Sequence, residues 1–568
     1  MAKKQTKVRS KVTSRLKFAG EGRDEYGTRY FKFRIRGGAA NVPPFAAEQI
    51  IEKPTAVFAE LTNAGANAFT NKVRNDLLED LQARKPEQPS FKVVTRLGWQ
   101  SGAIVRPEEM IGDPKEKLEP CFRDLDQQML GKYRTKGSLQ EWQNKIGALC
   151  RGNRILMFAA SLACAGPILS LVKGPRSGGF QLSGPPETGK TGAAMLAVWG
   201  CHRSPGRKEK GFAESWHTTA GKVEITALAH NHSLLILDET KRAGRTDQQR
   251  AQVVADVAVG LAEYTEREQL NNQGPARAWE LYFFSTSNLT LDEIASRGGI
   301  TIDDAERGQM TDIPVPNDGH GVYQTLHGFQ DGEGLTDSIK GRCRRYFGTP
   351  GKAFQQKLVK ERKRDPQGLR KFLAGERRAY RQLLRRRAKV EGLKPLKRAV
   401  GRAATVFAAG SLAIRYEVFL WDRDELLEAV MSCQLDSVRI AHNGGEAANS
   451  TQDLRNKLMA YLNRESSKFM DLTIDRPRRD AHELGSAPGY SDVYKGENWL
   501  YLVADQLDRI IGTGEEARQL KKELADEALL DRKASSGRFV VQRLVFKGGK
   551  GNKNHAWVCA FKARILNT

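Results

Sequence analysis

Three short stretches of this 568-residue chain carry the residue types that handle a phosphoanhydride. Gly184-Pro185-Pro186-Glu187-Thr188-Gly189-Lys190-Thr191 has the spacing G-x-x-x-x-G-K-T, with Gly192 next. Glycines at 184 and 189 let the backbone bend until its N–H groups face inward as an anion nest. Lys190 would then reach the β- and γ-phosphates of ATP, and the Thr191 hydroxyl would hold Mg²⁺. Further along, Asp238-Glu239 closes an apolar run. Asp238 would complete the Mg²⁺ shell through water, and Glu239 would take a proton from the attacking water or orient it. The third stretch, Ser285-Thr286-Ser287-Asn288, ends another apolar run in small polar side chains and an amide. Asn288 is the expected sensor residue there, with Ser287 and Thr286 beside it.

These groups need particular elements behind them. Phe180-Gln181-Leu182-Ser183 reads as a strand, and the residues after Thr191 read as a helix whose positive end adds to the anion site. Ser233-Leu234-Leu235-Ile236-Leu237 is continuously apolar, as a parallel strand buried on both faces should be. Its two carboxylates fall at the C-terminal end, where α/β sheets place ligands. Residues 280–288 form the next such strand. Between these two lies Asn271-Asn272-Gln273-Gly274-Pro275, strong turn chemistry, so residues 264–279 read as a β-hairpin. Its Arg267 and Arg277 would grip DNA phosphates, or the hairpin is an ordinary surface one. Residues 216–230 offer a second DNA-facing loop, with Lys222 available.

The formal net charge of +25 and pI near 9.7 point to a polyanionic partner, most economically nucleic acid. Seven scattered cysteines lack C-x-x-C or paired-histidine spacing, which argues against a zinc site and for a reducing, cytoplasmic setting. Residues 155–172 are uncharged and long enough to span a membrane. Small residues are frequent there and Gly166-Pro167 interrupts the run, so it reads as a buried helix against the sheet, with no membrane contact.

Along the chain, residues 1–17 form a basic arm and 18–135 an α+β accessory or DNA-binding domain, with helices expected over 46–63 and 68–84. Ser138 and Glu141 have the spacing of a capping box and open the ATPase core, 136–348. Residues 349–433 are a basic helical region and lid. Residues 434–568 read as a winged-helix-like domain with helices at 451–466, 499–511 and 515–534. Its final hairpin would bring Lys550 and Lys553 to duplex DNA.

Taken together the motifs resemble a bacterial family described as domain of unknown function 927, which includes the MCM-like, self-loading helicases of staphylococcal cassette chromosomes. The resemblance runs from Phe91 to Trp421. It rests on Leu97-Gly98-Trp99, Lys136-Gly137-Ser138-Leu139-Gln140-Glu141-Trp142, Trp216-His217-Thr218-Thr219, Asp312-Ile313-Pro314, Leu326-His327-Gly328 and residues 346–354. It implies an α/β P-loop AAA+ core, a homo-hexamer, and ATP-driven unwinding of DNA in replication of a mobile element. An AAA+ remodeller or loader, or a nucleotide-gated initiator, is the alternative. The family pattern places an arginine shortly before Asp-Ile-Pro as a finger acting on a neighbouring subunit. Here that segment is compressed, leaving Arg307 as the nearest candidate and Arg344 as fallback. Arg398 aligns with a sensor-2 arginine, and Arg402 stands one turn beyond it.

Overall fold

The computed structural model describes residues 16–36, 42–66, 71–84, 88–174, 177–198, 212–216, 220–263, 278–300, 302–316, 320–446, 451–473, 489–511, 515–531, 539, 541–547 and 553–567. The chain divides into two compact units, Met1–Arg439 and Ile440–Thr568.

The first unit begins with β1 (Leu16–Arg23) and β2 (Arg29–Ile35), an antiparallel pair whose apolar side chains face a small core around Phe31, Phe33 and Phe58. With β3 (Phe45–Ala46), β4 (Phe91–Val94) and β8 (Leu118–Pro120) they build a sheet in the order β3-β2-β1-β4-β8. The helix expected over 46–63 is two helices, α1 (Ala47–Glu52) and α2 (Pro54–Asn63). Pro54 disfavours helical backbone at Lys53, which takes φ −126° and ψ 47°. Next come α3 (Asn71–Ala83) and a three-stranded meander, β5 (Gly98–Gln100), β6 (Ala103–Val105) and β7 (Met110–Ile111), before β8 (Leu118–Pro120). The meander is pinned to the following core: Trp99 Nε1 donates to Pro167 O at 2.7 Å and its backbone N–H to His232 Nδ1 at 3.2 Å.

Ser138 and Glu141 form the capping box their spacing predicts, on the short helix Leu139–Trp142. Then α4 (Arg154–Ala165) tightens into a 3₁₀ turn, Gly166–Leu171. Among the described residues this is one stretch long and apolar enough to cross a membrane, and 83% of residues 154–171 is buried inside the protein. Phe158 on α4 meets Phe180 edge-on at 5.0 Å, so the helix packs on the sheet as expected.

The central sheet contains β9 (Gly178–Ser183), followed by α5 (Lys190–Leu196), β10 (Glu214–Ser215), α6 (Ala220–Leu228), β11 (Leu234–Asp238), α7 (Asp247–Glu263), β12 (Tyr282–Ser287), α8 (Leu291–Gly298), α9 (Asp304–Arg307) and β13 (Met310–Pro314). All pairings are parallel and the order is β10-β11-β12-β9-β13. Every residue of β9 and β12 is buried, including the polar Gln181, Ser285, Thr286 and Ser287, as befits strands covered on both faces. Strand β12 therefore lies between the glycine-loop strand and the carboxylate strand. A helical layer completes the unit: α10 (Gly332–Cys343), α11 (Thr349–Arg364), α12 (Pro366–Val390), α13 (Lys397–Arg415) and α14 (Arg423–Glu446). Small residues let α13 approach α4 closely, with a Cβ at Gly410 falling 2.4 Å from Ser161 Oγ.

The second unit has its own core around Leu458, Leu502, Leu520 and Phe561. Its elements are α15 (Thr451–Glu465), β14 (Met470–Asp471), β15 (Tyr490–Tyr494), β16 (Glu497–Val503), α16 (Ala504–Ile511), α17 (Glu515–Asp526), β17 (Val541–Lys547) and β18 (Lys553–Lys562). The sheet order is β14-β15-β16-β18-β17. Two expectations are corrected here. Residues 499–503 are strand rather than helix, because Trp499, Leu500, Tyr501 and Leu502 pair with β18 and supply both faces of the sheet. The last helix stops at Asp526 rather than 534, since Ala528 turns left-handed (φ 54°) and Leu530 bridges to Phe561.

Candidate nucleotide site

The G-x-x-x-x-G-K-T loop leaves the C-terminal end of β9 with Gly184 at φ 156°, Glu187 at 64° and Gly189 at 86°. Gly189 caps α5, so Lys190 and Thr191 open the helix. A Cβ at Gly189 would fall 2.7 Å from Val322 Cγ2 and 3.1 Å from the Tyr323 hydroxyl. Only glycine satisfies both the angle and the space. The 320–323 turn backs the loop further: Val322 N–H donates to Thr188 O at 3.0 Å, and the Tyr323 hydroxyl pairs with Thr336 at 2.6 Å. No short motif marks that turn, which sequence reasoning missed.

Lys190 is 7% exposed, and its ammonium is folded onto the loop, donating to Gly184 O at 2.8 Å and also to Pro185 O. Burial lowers its pKa, while the nearby carboxylates of Glu239 and Asp238 raise it. The loop thus holds a buried cation that meets carbonyl oxygens rather than a carboxylate in direct contact. That donor set fits an anion, and Thr191, exposed in the first turn of α5, fits a metal-ligating hydroxyl. Pro185 and Pro186 shape the outer rim, with Pro186 exposed; Gly192 is buried under Tyr323 and Thr336.

Parallel register aligns the chemistry in rows across the sheet. Leu237, Ser285, Gln181 and Asp312 lie in one row. One step nearer the loop, the Thr286 hydroxyl donates to Asp238 Oδ1 at 2.8 Å and accepts from Glu239 N–H at 2.9 Å. Thr240 donates to Ser287 Oγ at 2.6 Å. Glu239 sits at φ 65°, a conformation few non-glycine residues adopt, and its Oε1 accepts from Lys241 N–H at 3.2 Å. Thr286 is therefore the side chain joined to the carboxylate pair. Asn288, the expected sensor, stands half-buried just beyond the end of β12.

Behind this runs a buried polar chain. Trp216 Nε1 donates to Ser285 Oγ (3.0 Å), Ser285 to Gln181 Oε1 (3.1 Å), and Gln181 Nε2 to Asp312 Oδ1 (2.8 Å). Asp312 Oδ2 accepts from Leu291 N–H at 2.7 Å. Burial raises the Asp312 carboxyl to about 7, against these hydrogen bonds, which lower it.

The arginines are more dispersed. Arg307 is paired within its own chain, to Asp292 at 3.0 Å and Asp304 at 3.2 Å. Arg398 is exposed, its stem 3.6 Å from where a Gly308 Cβ would lie, beside the start of β13 and remote from the glycine loop. Arg402 does not share that exposure. It is fully buried, donates to Gly308 O at 2.6 Å and Thr311 Oγ1 at 3.0 Å, and burial lowers its pKa to about 10. Arg344 is exposed at the end of α10. Residues 220–228 are helix, correcting the loop expected there; Lys222 is exposed in its first turn. The 264–277 hairpin with Arg267 and Arg277, and Lys550, lie outside the described residues; Lys553 opens β18.

A parallel sheet with a phosphate-type loop at one strand end and paired carboxylates two strands away defines an α/β protein built around a ligand site. Residues 2–278 match the family described as domain of unknown function (DUF927). Among solved structures, the chain is similar to "SCCmec type IV Cch - active helicase", with TM-score 0.54 and 14% identity, over 97% of this chain and 95% of that one. It thus shares its fold with a helicase. A likeness to the apo C-terminal region of NrS-1 covers 98% of this chain and 97% of that one, at 10% identity and TM-score 0.24. No curated protein matches the chain.

Proposed function

We propose that this chain is an ATP-hydrolysing motor of the AAA+ class that unwinds DNA. The observation that carries the reading is the Thr286 hydroxyl bonded to Asp238 Oδ1 and Glu239 N–H, on a strand set between the glycine-loop strand and the carboxylate strand. Helicase activity is that of the similarly folded protein and comes to this chain as part of the proposal.

Bound Mg–ATP supplies the phosphoanhydride that is cut. The backbone N–H groups of residues 184–189 and the start of α5 hold its phosphates. Lys190 exchanges the Gly184 and Pro185 carbonyls for phosphate oxygens. Thr191 and Asp238 would hold a Mg²⁺ ion, which would supply charge neutralisation at the phosphates, and Glu239 would take the proton of the attacking water. Thr286 keeps both acidic residues oriented, and Asn288, just past the strand end, would serve as the sensor of the bound phosphate. Arg307, or Arg344 in its place, would act as a finger on a neighbouring copy in a hexameric ring, and Arg398 would serve as the sensor-2 arginine.

In the proposed division, 1–17 is a basic arm, 18–135 an accessory domain, 136–348 the motor, 349–433 a basic helical region with a lid, and 434–568 a winged-helix-like domain. In this last domain the order helix, strands, two helices, hairpin supports the reading. Helix α17 carries four acidic and three basic residues, so duplex contact falls to the hairpin lysines, Lys550 and Lys553.

Strand displacement on 3′- and 5′-tailed substrates, with ATPase measured in parallel, tests the proposal. Lys190→Ala should abolish both activities. Glu239→Gln should keep nucleotide binding and stop turnover; near-normal hydrolysis by that variant would remove the base assignment. Hydrolysis without displacement of either substrate would favour the loader or remodeller reading.

A further inference from the structure

Helix α12 has nine Lys or Arg among its 25 residues and a single acid, Glu376, which is claimed by Arg423 of α14 at 3.0 Å. Arg387 is paired with Glu428 at 2.6 Å, and Arg377 is buried. The other seven, Arg370, Lys371, Arg378, Arg381, Arg385, Arg386 and Lys389, form no ion pair with any described carboxylate.

Their placement is ordered. Leu369, Leu373, Tyr380, Leu384 and Ala388 turn one face of the helix to the core. Lys371, Arg378 and Arg385, seven residues apart, with Lys389 one turn on, run along the opposite, exposed face. Successive charges rise by about 10.5 Å, close to the ~12 Å width of a B-DNA major groove, and the stripe spans about 27 Å. Between Lys371 and Arg378 the same side of the helix carries Ala374 and Gly375, both exposed and small. Gly375 is mid-helix, its φ is not left-handed, and a Cβ there would meet nothing. Neither packing nor backbone conformation within the chain requires a residue that weakens the helix. A gap in the side chains flanked by cations suits a sugar–phosphate backbone brought close. The helix's aromatic residues, Phe372 and Tyr380, are half-buried and buried, which leaves no platform for stacking unpaired bases.

We infer that the outer face of α12 is a docking surface for the phosphate backbone of duplex DNA, separate from the nucleotide site. It rests on the reading of DNA as the polymer acted on, not on hydrolysis.

The test uses the full chain without nucleotide, with fluorescence anisotropy of a labelled 30-base-pair duplex across a salt series. The probes beside it are a single strand of equal length and phosphatidylglycerol vesicles. The triple variant Lys371→Gln, Arg378→Gln, Arg385→Gln should keep its thermal midpoint and its DNA-independent ATPase. Its log K–log[salt] slope on duplex should be shallower by about 2–3, near 0.9 per lost phosphate contact. Gly375→Gln should hold or raise the midpoint yet weaken duplex binding. An unchanged duplex slope overturns the inference, as does a loss confined to the single strand or to vesicles. If the wild type hydrolyses no ATP but the triple variant still shows the shallower slope, the motor falls and this surface stands. Hydrolysis with an unchanged slope does the reverse.

Discussion

At the scale of single residues, the site turns on a hydroxyl. Thr286 satisfies the Glu239 N–H and steadies Asp238, so it supports a left-handed glutamate that would otherwise relax. Thr286→Val keeps the shape and removes both bonds. Leaving a part-buried N–H unpaired costs about 1–3 kcal/mol. We expect kcat for ATP to fall by about tenfold or more, with little change in nucleotide affinity, measured by steady-state kinetics and a fluorescent-nucleotide titration. A fall in affinity with kcat preserved would place Thr286 in binding rather than in orienting the carboxylates. Asn288 and Thr286 differ by two positions in sequence, but the side chain on the carboxylate row is set by the parallel register of β12 with β11, where Ser285 lies opposite Leu237.

At the scale of elements, the sheet is held by a helix that could be mistaken for a membrane span. Helix α4 stays with the sheet because α13 covers it through small residues. A Cβ at Gly410 would lie 2.4 Å from Ser161 Oγ and 2.6 Å from Leu426 Cδ2. Gly410→Val is expected to destabilise the first unit by about 1–3 kcal/mol through overpacking, read as a lower urea midpoint with unchanged m. A stability equal to wild type would mean the α4–α13 contact is looser than this geometry. The helix spanning residues 46–63 illustrates the converse: local chemistry decides where it breaks, since Pro54 acts on Lys53 whatever packs around it.

At the scale of the whole molecule, two buried groups push stability in opposite directions with pH. Burial lowers His230 from 6.5 to about 4, so its contribution to stability is present above pH 6.5 and lost as pH falls towards 4. Burial raises Asp312 from 3.8 to about 7; the folded state then holds the proton more tightly, and its effect favours folding as pH falls from 7 to 4. The two offset one another across the same window. Asp312→Asn removes the acid-side gain, so its thermal midpoint should fall more steeply than wild type between pH 6.5 and 4, measured by calorimetry in matched buffers. Parallel curves would show that Asp312 is ionised in the fold at pH 6.5. The chain's large positive charge also resolves at this scale: part of it is concentrated on one exposed helix face, where no described carboxylate answers it.

The amino-acid order alone determined the features set by neighbours in the chain. These include the glycine loop between strand and helix, the apolar runs that must be buried, the capping box at Ser138 and the carboxylates at the end of β11. Each depends on local backbone chemistry or on the demand that a continuous apolar strand leave water. Tertiary structure decided what depends on partners far away in sequence. Thr286 rather than Asn288 meets Asp238, Arg307 is tied to Asp292, Arg402 is buried, and Trp499 to Val503 are strand because β18 lies alongside. Which side chains share a row, and which charges are already answered, follow from register and packing, and neither is encoded within a few residues.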